Sequence, residues 1–184
     1  MPLFKLQRNS QRRQLDVSMV GLKLGAHVLQ LGSDGELIAA LARVVGISGE
    51  ACAVTDDPDQ ADQMRRAAAA AGVLVEVNIA QFGALQYDAE VFDVLVISDV
   101  IGEMRMNERV ICLQQALRVL RTNGRCLVVE RAQRGGLWAL LSQRALDRNY
   151  RANGGAAGAL AAEGFRAVRL LAERDGKSYV EGTK

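Results

Sequence analysis

Histidine is almost absent from this chain of 184 residues, since His27 is the single one. A Ser-His-Asp or Cys-His catalytic triad needs an imidazole, so such a triad is excluded unless another chain supplies the histidine. The three cysteines (Cys52, Cys112 and Cys126) form no Cys-x-x-Cys pair, and each lies in an apolar stretch. We therefore expect buried, reduced thiols rather than disulfides, and no metal site.

Long apolar runs are missing as well, because none approaches the roughly 20 residues that cross a bilayer. The start of the chain lacks the apolar stretch of a secretory signal, and it is basic without any acidic residue. Two interpretations of residues 1–19 stay open: a basic arm or helix on a cytoplasmic protein, which we favour, or an organelle-targeting segment. The net charge of +2 gives no strong attraction for nucleic acid.

Short β-type runs alternate with longer helical patterns along the rest of the chain. The β-type runs predict strands at residues 27–32, 50–55, 73–79, 92–100, 125–131, 165–173 and 177–183. Helices are predicted at residues 35–45 and 156–163, between Pro58 and Gly72, after Asn107 and around Trp138. Asn107 is the predicted cap of a helix whose core face carries Val110, Leu113, Leu117 and Leu120. A loop is predicted at residues 80–91.

The last two β-type runs flank Asp175-Gly176, a dipeptide that is typical of two-residue hairpins. The other runs alternate with helices, which predicts right-handed βαβ crossovers and parallel pairing. Residues 20–184 are therefore predicted to form one α/β domain whose sheet is mostly parallel and ends in an antiparallel hairpin. The sequence shows no internal repeat and no linker that would divide this domain.

Three motifs carry a family resemblance. Residues 24–32 (LGAHVLQLG) resemble the first strand of class I S-adenosylmethionine-dependent methyltransferases, residues 120–125 (LRTNGR) the turn before their fifth strand, and residues 163–165 (EGF) the entry to their sixth. The resemblance spans residues 20–183 and is greatest to the ubiquinone/menaquinone C-methyltransferase-like group. It implies a Rossmann-like, seven-stranded sheet with helices on both faces, S-adenosylmethionine as cofactor and methyl transfer to a small molecule.

The resemblance also implies a set of cofactor-binding positions. These are Gln30, Gly32, Ser33, Asp34, Gly35, Thr55, Asp56 and Gln81. Three of them are neutral where the family has acids: Gln30 near the methionine end, Thr55 at the ribose and Gln81 at the adenine. The glycine-rich loop is also one residue shorter than the family pattern. We therefore interpret the cofactor site as degenerate and expect weak or undetectable binding of S-adenosylmethionine.

Two interpretations of residues 32–35 stay open. They form either a working cofactor loop or a plain strand-to-helix turn in which Asp34 lies near the positive end of a helix. The resemblance places Asp99 and Glu103 beside the substrate, where a carboxylate acts as a general base for a protonated nucleophile. The alternative for both is a solvated loop acid.

Two functions from different classes follow. The first is a small-molecule methyltransferase, whose chemistry needs no histidine because it depends mainly on proximity and alignment. The second is a non-catalytic subunit of the same fold that acts through a protein partner or as a homodimer, with Met104 and Met106 exposed beside the cleft. A membrane or nucleic-acid partner is not expected.

A basic set around Trp138 and Tyr150 has two interpretations. It is either an anion-binding surface or, as is more typical, the solvated face of an amphipathic helix. Its members are Arg131, Arg134, Arg144, Arg148 and Arg151.

Overall fold

The computed structural model describes residues 13–131 and 148–184. Its strands are β1 (His27–Leu31), β2 (Glu50–Thr55), β3 (Glu76–Ile79), β4 (Phe92–Ser98), β5 (Leu120–Arg131), β6 (Arg166–Arg174) and β7 (Lys177–Thr183). Its helices are α1 (residues 13–20), α2 (Gly35–Val45), α3 (Pro58–Ala71), α4 (Met106–Val119), α5 (Arg148–Ala152) and α6 (Gly155–Ala162). No helix in these two ranges is long and apolar enough to span a membrane.

The described strands form one seven-stranded sheet in the order β3-β2-β1-β4-β5-β7-β6. β1 to β5 pair in parallel, whereas β7 runs antiparallel to both of its neighbours, β5 and β6. The predicted Rossmann-like fold and its closing hairpin are confirmed. The strand order reverses between β1 and β4, and ligands of open α/β sheets bind at such a reversal, beyond the carboxyl ends of the strands.

Two layers of helices cover the sheet because side chains alternate between its faces. On one face, Val28 and Val96 pack with buried residues of α2 and α3 and with Val20 of α1. On the other face, Leu29 and Ile97 pack with buried residues of α4, α5 and α6. β1 and β4 are covered on both sides and read as near-continuous apolar runs, as central parallel strands do.

Several predicted element ends are wrong by a few residues. β1 ends at Leu31, β3 begins at Glu76 and β4 ends at Ser98, so each is shorter than its apolar run. An apolar run does not mark where ladder pairing begins or ends, and Leu74, in the run before β3, is 92% exposed. β5 begins five residues early, because its ladder with β4 pairs Phe92 with Leu120 and resumes after an irregularity.

The predicted start of α4 is wrong, and its predicted core face is right at Leu113 and Leu120, which are fully buried. The cap is Arg105, whose backbone N–H donates to the carboxylate of Glu108 at 3.0 Å, so Asn107 already lies inside the helix. A glutamate three residues after the cap is a recognised helix-start signal. Val110 and Leu117 are only half-buried, and the buried residues of the helix are Arg109, Cys112, Leu113, Ala116 and Val119.

The three cysteines are buried free thiols, as predicted. The helix predicted around Trp138 and the basic residues Arg134 and Arg144 lie outside the described residues. α1 packs on the domain through Val20, which is fully buried, so part of the predicted arm is helical and joined to the core. The division at residue 19 and the cytoplasmic location stay predictions.

Candidate active site

A cavity of about 810 Å³ lies beyond the carboxyl ends of β1, β2 and β4. This volume lies within the roughly 300–1,000 Å³ that small-molecule sites occupy. Of the predicted cofactor and catalytic residues, those that line it are Ser33, Asp34, Gly35, Asp56, Gln81, Asp99 and Glu103. Gln30, Gly32 and Thr55 are not among the lining residues, and their predicted contact with a cofactor stays a prediction.

Gly32 lies in the turn after β1 and packs closely against the end of β4. Its φ of +122° is one that other residues rarely adopt, and a Cβ there would lie 2.4 Å from the carbonyl oxygen of Ser98. Its N–H donates to the Val54 carbonyl at 3.0 Å, which continues the sheet into the turn. Because only glycine allows this approach, the turn after β1 lies directly against the end of β4.

Asp34 combines two roles at the start of α2. One carboxylate oxygen accepts the backbone N–H of Leu37 at 3.0 Å, which makes Asp34 the helix cap. The other accepts from the Arg13 guanidinium at 2.8 Å. Its placement near the helix start is confirmed, and Asp34 also lines the cavity, so the two interpretations of residues 32–35 are compatible.

Gln30 lies beneath the turn and is completely buried. Its amide Nε2 donates to the Asp34 carbonyl at 3.0 Å, and its Oε1 is buried without a hydrogen-bond partner among the described residues. An unpaired buried acceptor costs free energy comparable to a lost hydrogen bond. Gln30 thus supports the turn from beneath and keeps one unused acceptor in the interior.

Thr55 and Asp56 take opposite environments at the end of β2. Thr55 is fully buried, and its hydroxyl donates to Gln60 Oε1 at 3.1 Å. Asp56 follows the last ladder residue and lies exposed on the cavity wall. The chain turns after Thr55, so the carboxylate next to the expected ribose position is the one that reaches the cavity.

Gln81 and Phe82 line the cavity from the loop after β3. Arg118 of α4 holds this loop by donating to the carbonyls of Leu85 and Tyr87 at 2.9 and 2.7 Å. The sequence predicted the loop but not this anchor, because Arg118 is distant in the chain.

Asp99 has a left-handed backbone with a φ of +57° and directly follows β4. One carboxylate oxygen accepts the Arg131 backbone N–H at 2.9 Å, and the other lies 3.2 Å from the Arg131 Nε. Both oxygens are thus held by the end of β5. Glu103, four residues on, is exposed on the cavity wall.

Glu130 forms a buried polar cluster under this edge of the cavity. Its carboxylate accepts the Tyr150 hydroxyl at 2.9 Å, and the Arg109 guanidinium lies 4.5 Å from the centre of the Tyr150 ring. Burial raises the pKa of Glu130, and the charge of Asp99 raises it further, although the Tyr150 hydrogen bond opposes these effects. The hydrogen bond from Tyr150 joins the end of β5 to α5.

The charge of the cavity wall is predominantly negative. Its acidic lining residues are Asp34, Glu36, Asp56, Asp99, Glu103 and Glu108. Among the described residues, the cations that line it are Arg13 and Arg131. Burial lowers the pKa of Arg13, but its hydrogen bonds with Asp34 and Glu36 outweigh this and raise it overall. Sequence reasoning missed Arg13 because a basic terminus reads as a solvated arm.

One cluster with metal-ligating atoms lies near the amino-terminal half of β2. Ligand atoms of Glu50, Cys52 and Glu76 lie within 4.8 Å of one another. Burial raises the pKa of the Cys52 thiol to about 12, and neighbouring carboxylates add to the increase. Since a metal binds the thiolate, metal binding at this cluster would have to displace the thiol proton.

Comparison with known proteins gives one family. The model of a methyltransferase domain matches residues 28–124, which include the strands and loops that carry most of the cavity. No curated protein sequence matches the chain.

Solved structures show the same fold at low sequence identity. A SAM-dependent methyltransferase from Aquifex aeolicus aligns with a TM-score of 0.75 at 16% identity, covering 93% of this chain and 88% of its own. The [4+2]-cyclase SpnF aligns at 0.72 and 16% identity, covering 95% and 80%. The S-adenosylmethionine-dependent methyltransferase SibL in its apo form aligns at 0.66 and 21% identity, covering 86% and 50%.

Proposed function

Because this chain belongs to the methyltransferase domain family, we propose that it transfers a methyl group from S-adenosylmethionine to a small molecule in the cavity over β1, β2 and β4. Family membership implies S-adenosylmethionine as the cofactor. The acceptor, and the finer likeness to the ubiquinone/menaquinone C-methyltransferase group, belong to this proposal.

The residues around the cavity fit this cofactor. Asp56 is an exposed carboxylate after β2 and would accept the hydrogen bonds of the ribose hydroxyls. Gln81 and Phe82 would contact the adenine with an amide and a ring. The free acceptor of Gln30 lies under the turn that would hold the amino-acid end. Gly32 lets the turn that carries Ser33 and Asp34 lie directly against the end of β4.

When bound, S-adenosylmethionine supplies an electrophilic methyl group, whose transfer depends mainly on proximity and alignment. Asp99 is held by Arg131 through both oxygens, so we assign it a positioning role for the end of β5. Glu103 lies on the cavity wall and is the proposed proton acceptor for a nucleophile that carries a proton.

The observation that carries the proposal is the position of Asp56. The non-catalytic alternative depends on the replacement of acids at the cofactor positions. The clearest replacement is Thr55, which stands where the family has the ribose-binding acid. Because the neighbouring carboxylate of Asp56 lies on the cavity wall, we infer that it takes the role of the ribose acid from the next position in the chain.

The non-catalytic alternative expects an apolar surface at Met104 and Met106, and only one of these two residues is exposed. Met104 is nearly buried at 9% exposure, whereas Met106 is 63% exposed. The family match does not favour a non-catalytic subunit.

Replacement of Asp56 tests the proposal. S-adenosylhomocysteine should raise the unfolding temperature of the wild-type protein, because a ligand that binds only the folded state stabilises it. Asp56→Asn should weaken this ligand roughly tenfold or more, since a hydrogen bond to a charged group contributes about 1.5–3 kcal/mol. Thermal unfolding over a range of ligand concentrations measures both effects.

Asp59→Asn is the matched control, because Asp59 is an exposed acid in the first turn of α3 and does not line the cavity. It should leave the affinity unchanged. Absence of any ligand-induced shift in the wild-type protein would contradict the proposed function, and equal affinity in Asp56→Asn would contradict the role of Asp56.

A further inference from the structure

Arg13 lines the cavity from α1, beside the turn that follows β1. Its Nη1 lies 2.8 Å from Asp34 and 3.4 Å from Asp16, and its Nη2 lies 3.0 Å from Glu36. The guanidinium is therefore shared between one carboxylate on its own helix and two at the start of α2. It is 23% exposed, so one edge still meets the solvent of the cavity.

The fold fixes the position of Arg13 through the next turn of α1. Asp16 is 2% exposed and accepts the Tyr179 hydroxyl at 2.6 Å and the Lys177 ammonium at 2.8 Å. Val20 is buried in the core, and its carbonyl accepts from Arg125 at 2.8 Å. α1 is thus joined to β5 and β7, and Arg13 is held over the cavity rather than carried on a free arm.

The second cation of the cavity wall, Arg131, lies away from the turn after β1 and is paired with Asp99. Arg131 is at the end of β5, two strands from β1, which corresponds to about 10 Å at the usual strand spacing. Its backbone and guanidinium both contact Asp99. Among the described lining residues, Arg13 is therefore the cation beside the turn after β1.

We propose that Arg13 binds the carboxylate of the amino-acid end of the cofactor, and that Glu36 occupies this place on the guanidinium until the ligand arrives. The inference rests on the proposed function, because it assigns a residue to the same ligand. A planar guanidinium has five N–H donors, so it can keep Asp34 while it pairs with a second carboxylate.

Replacement of the Glu36 carboxylate by the ligand carboxylate on Arg13 should cost little free energy. Glu36 is 78% exposed, and such surface ion pairs contribute little to stability because water and salt screen them. Asp34 is only 27% exposed and also caps α2, so it remains in place. Arg13 then lies between a fixed internal carboxylate and the carboxylate of the ligand.

Two ligands separate a carboxylate contact from a general effect on the cavity. S-adenosylhomocysteine carries the carboxylate, and its decarboxylated analogue keeps the nucleoside and the ammonium but lacks that group. Calorimetric titration of the full chain with each ligand gives the affinities. Arg13→Gln should weaken S-adenosylhomocysteine roughly 10- to 100-fold, as loss of a charged hydrogen bond predicts. The affinity of the analogue should change by less than about threefold.

Three further variants complete the test. Arg13→Lys keeps the positive charge but not the planar set of N–H donors. It should therefore recover part of the affinity that Arg13→Gln loses. Glu36→Gln removes the competing carboxylate and should strengthen S-adenosylhomocysteine by up to about fivefold, in line with a surface pair. Arg66→Gln removes an exposed cation on α3 that does not line the cavity, and it should change neither affinity.

The outcomes are distinct. A selective loss for S-adenosylhomocysteine in Arg13→Gln supports the inference. If Arg13→Gln loses affinity equally for both ligands, Arg13 only supports the turn. If it gains affinity equally for both, Arg13 only blocks the entrance of the cavity. Either result overturns the inference and leaves the proposed function intact. If the wild-type protein binds neither ligand, the proposed function fails and this inference fails with it.

Discussion

Asp56 and Thr55 are neighbours in the chain, yet one lines the cavity and the other is fully buried. Successive residues of a strand point to opposite faces, so the identity of the exposed one depends on where the ladder ends. The sequence placed the strand correctly at residues 50–55, but it does not determine how the chain turns after the last bond. Residue roles at strand ends are therefore harder to predict than the strands themselves.

Gly32 allows the close approach between the turn after β1 and the end of β4. Gly32→Ala should destabilise the protein by at least about 2 kcal/mol, because it adds backbone strain and a contact with the Ser98 carbonyl. The affinity for S-adenosylhomocysteine should fall as well, since the turn must move away from β4. Urea denaturation and calorimetry measure these two effects.

Gly72→Ala provides the comparison at the end of α3. Gly72 also has a positive φ, of +67°, but an added Cβ would meet no atom within 4 Å. This variant should cost about 1 kcal/mol from backbone strain alone and leave the ligand affinity unchanged. Equal stability losses at the two glycines would show that the close approach to Ser98 is unimportant.

At the scale of elements, α4 shows why the buried face of a correctly predicted helix is predicted only in part. Arg109 lies on its buried side, donating to the Met104 carbonyl at 3.0 Å and packing against Tyr150. A pattern of apolar residues cannot include an arginine, so the predicted face was drawn around Val110 and Leu117 instead. The partner Tyr150 is about forty residues away in sequence, and no local signal connects the two.

The buried cluster of Glu130 and Tyr150 joins β5 to α5 and predicts a pH effect on stability. The raised pKa of Glu130 means that the folded protein binds its proton more tightly than the unfolded chain does. The folded state therefore loses stability at this site as the pH rises from the ordinary value near 4.5 through the raised pKa. Glutamine has no proton to lose and avoids this loss.

Glu130→Gln should consequently gain stability relative to the wild-type protein as the pH is raised from about 4 to about 8. Urea denaturation at several pH values gives the difference in the free energy of unfolding. Glu173→Gln, at an exposed position of β6, should show a nearly constant difference over the same range. A relative stability of Glu130→Gln that falls with pH would contradict the inferred burial of this carboxylate.

At the scale of the whole molecule, the sequence predicted the sheet well. Alternating strands and helices indicated the parallel crossovers, and Asp175-Gly176 indicated the hairpin that makes β7 antiparallel to its neighbours. These signals are local and repeat along the chain, so an error in one element does not change the architecture. The docking of α1 was not predicted, because its key carboxylate, Asp16, finds its partners on β7, more than 150 residues away.

The sequence predicted the location of the candidate site but not the arrangement of charged residues around it. The strand ends identified the region of the cavity, whereas the placement of Arg13, Arg131 and Asp56 depends on how separate elements meet. The departures from the family pattern predicted a weakened site, and the structure places a carboxylate beside one of the lost positions. The lost acids lower the affinity that we expect for the cofactor, and the carboxylate of Asp56 recovers part of it.

Calorimetric titration of the wild-type protein with S-adenosylmethionine tests the central claim most directly. We predict saturable binding at one site per chain, with a dissociation constant between about 10 μM and about 1 mM, because Asp56 and Arg13 supply contacts while Gln30 replaces an acid. Circular dichroism should confirm that the titrated protein is folded. Absence of binding by the folded protein at ligand concentrations well above about 1 mM would contradict the claim that this cavity is a cofactor site.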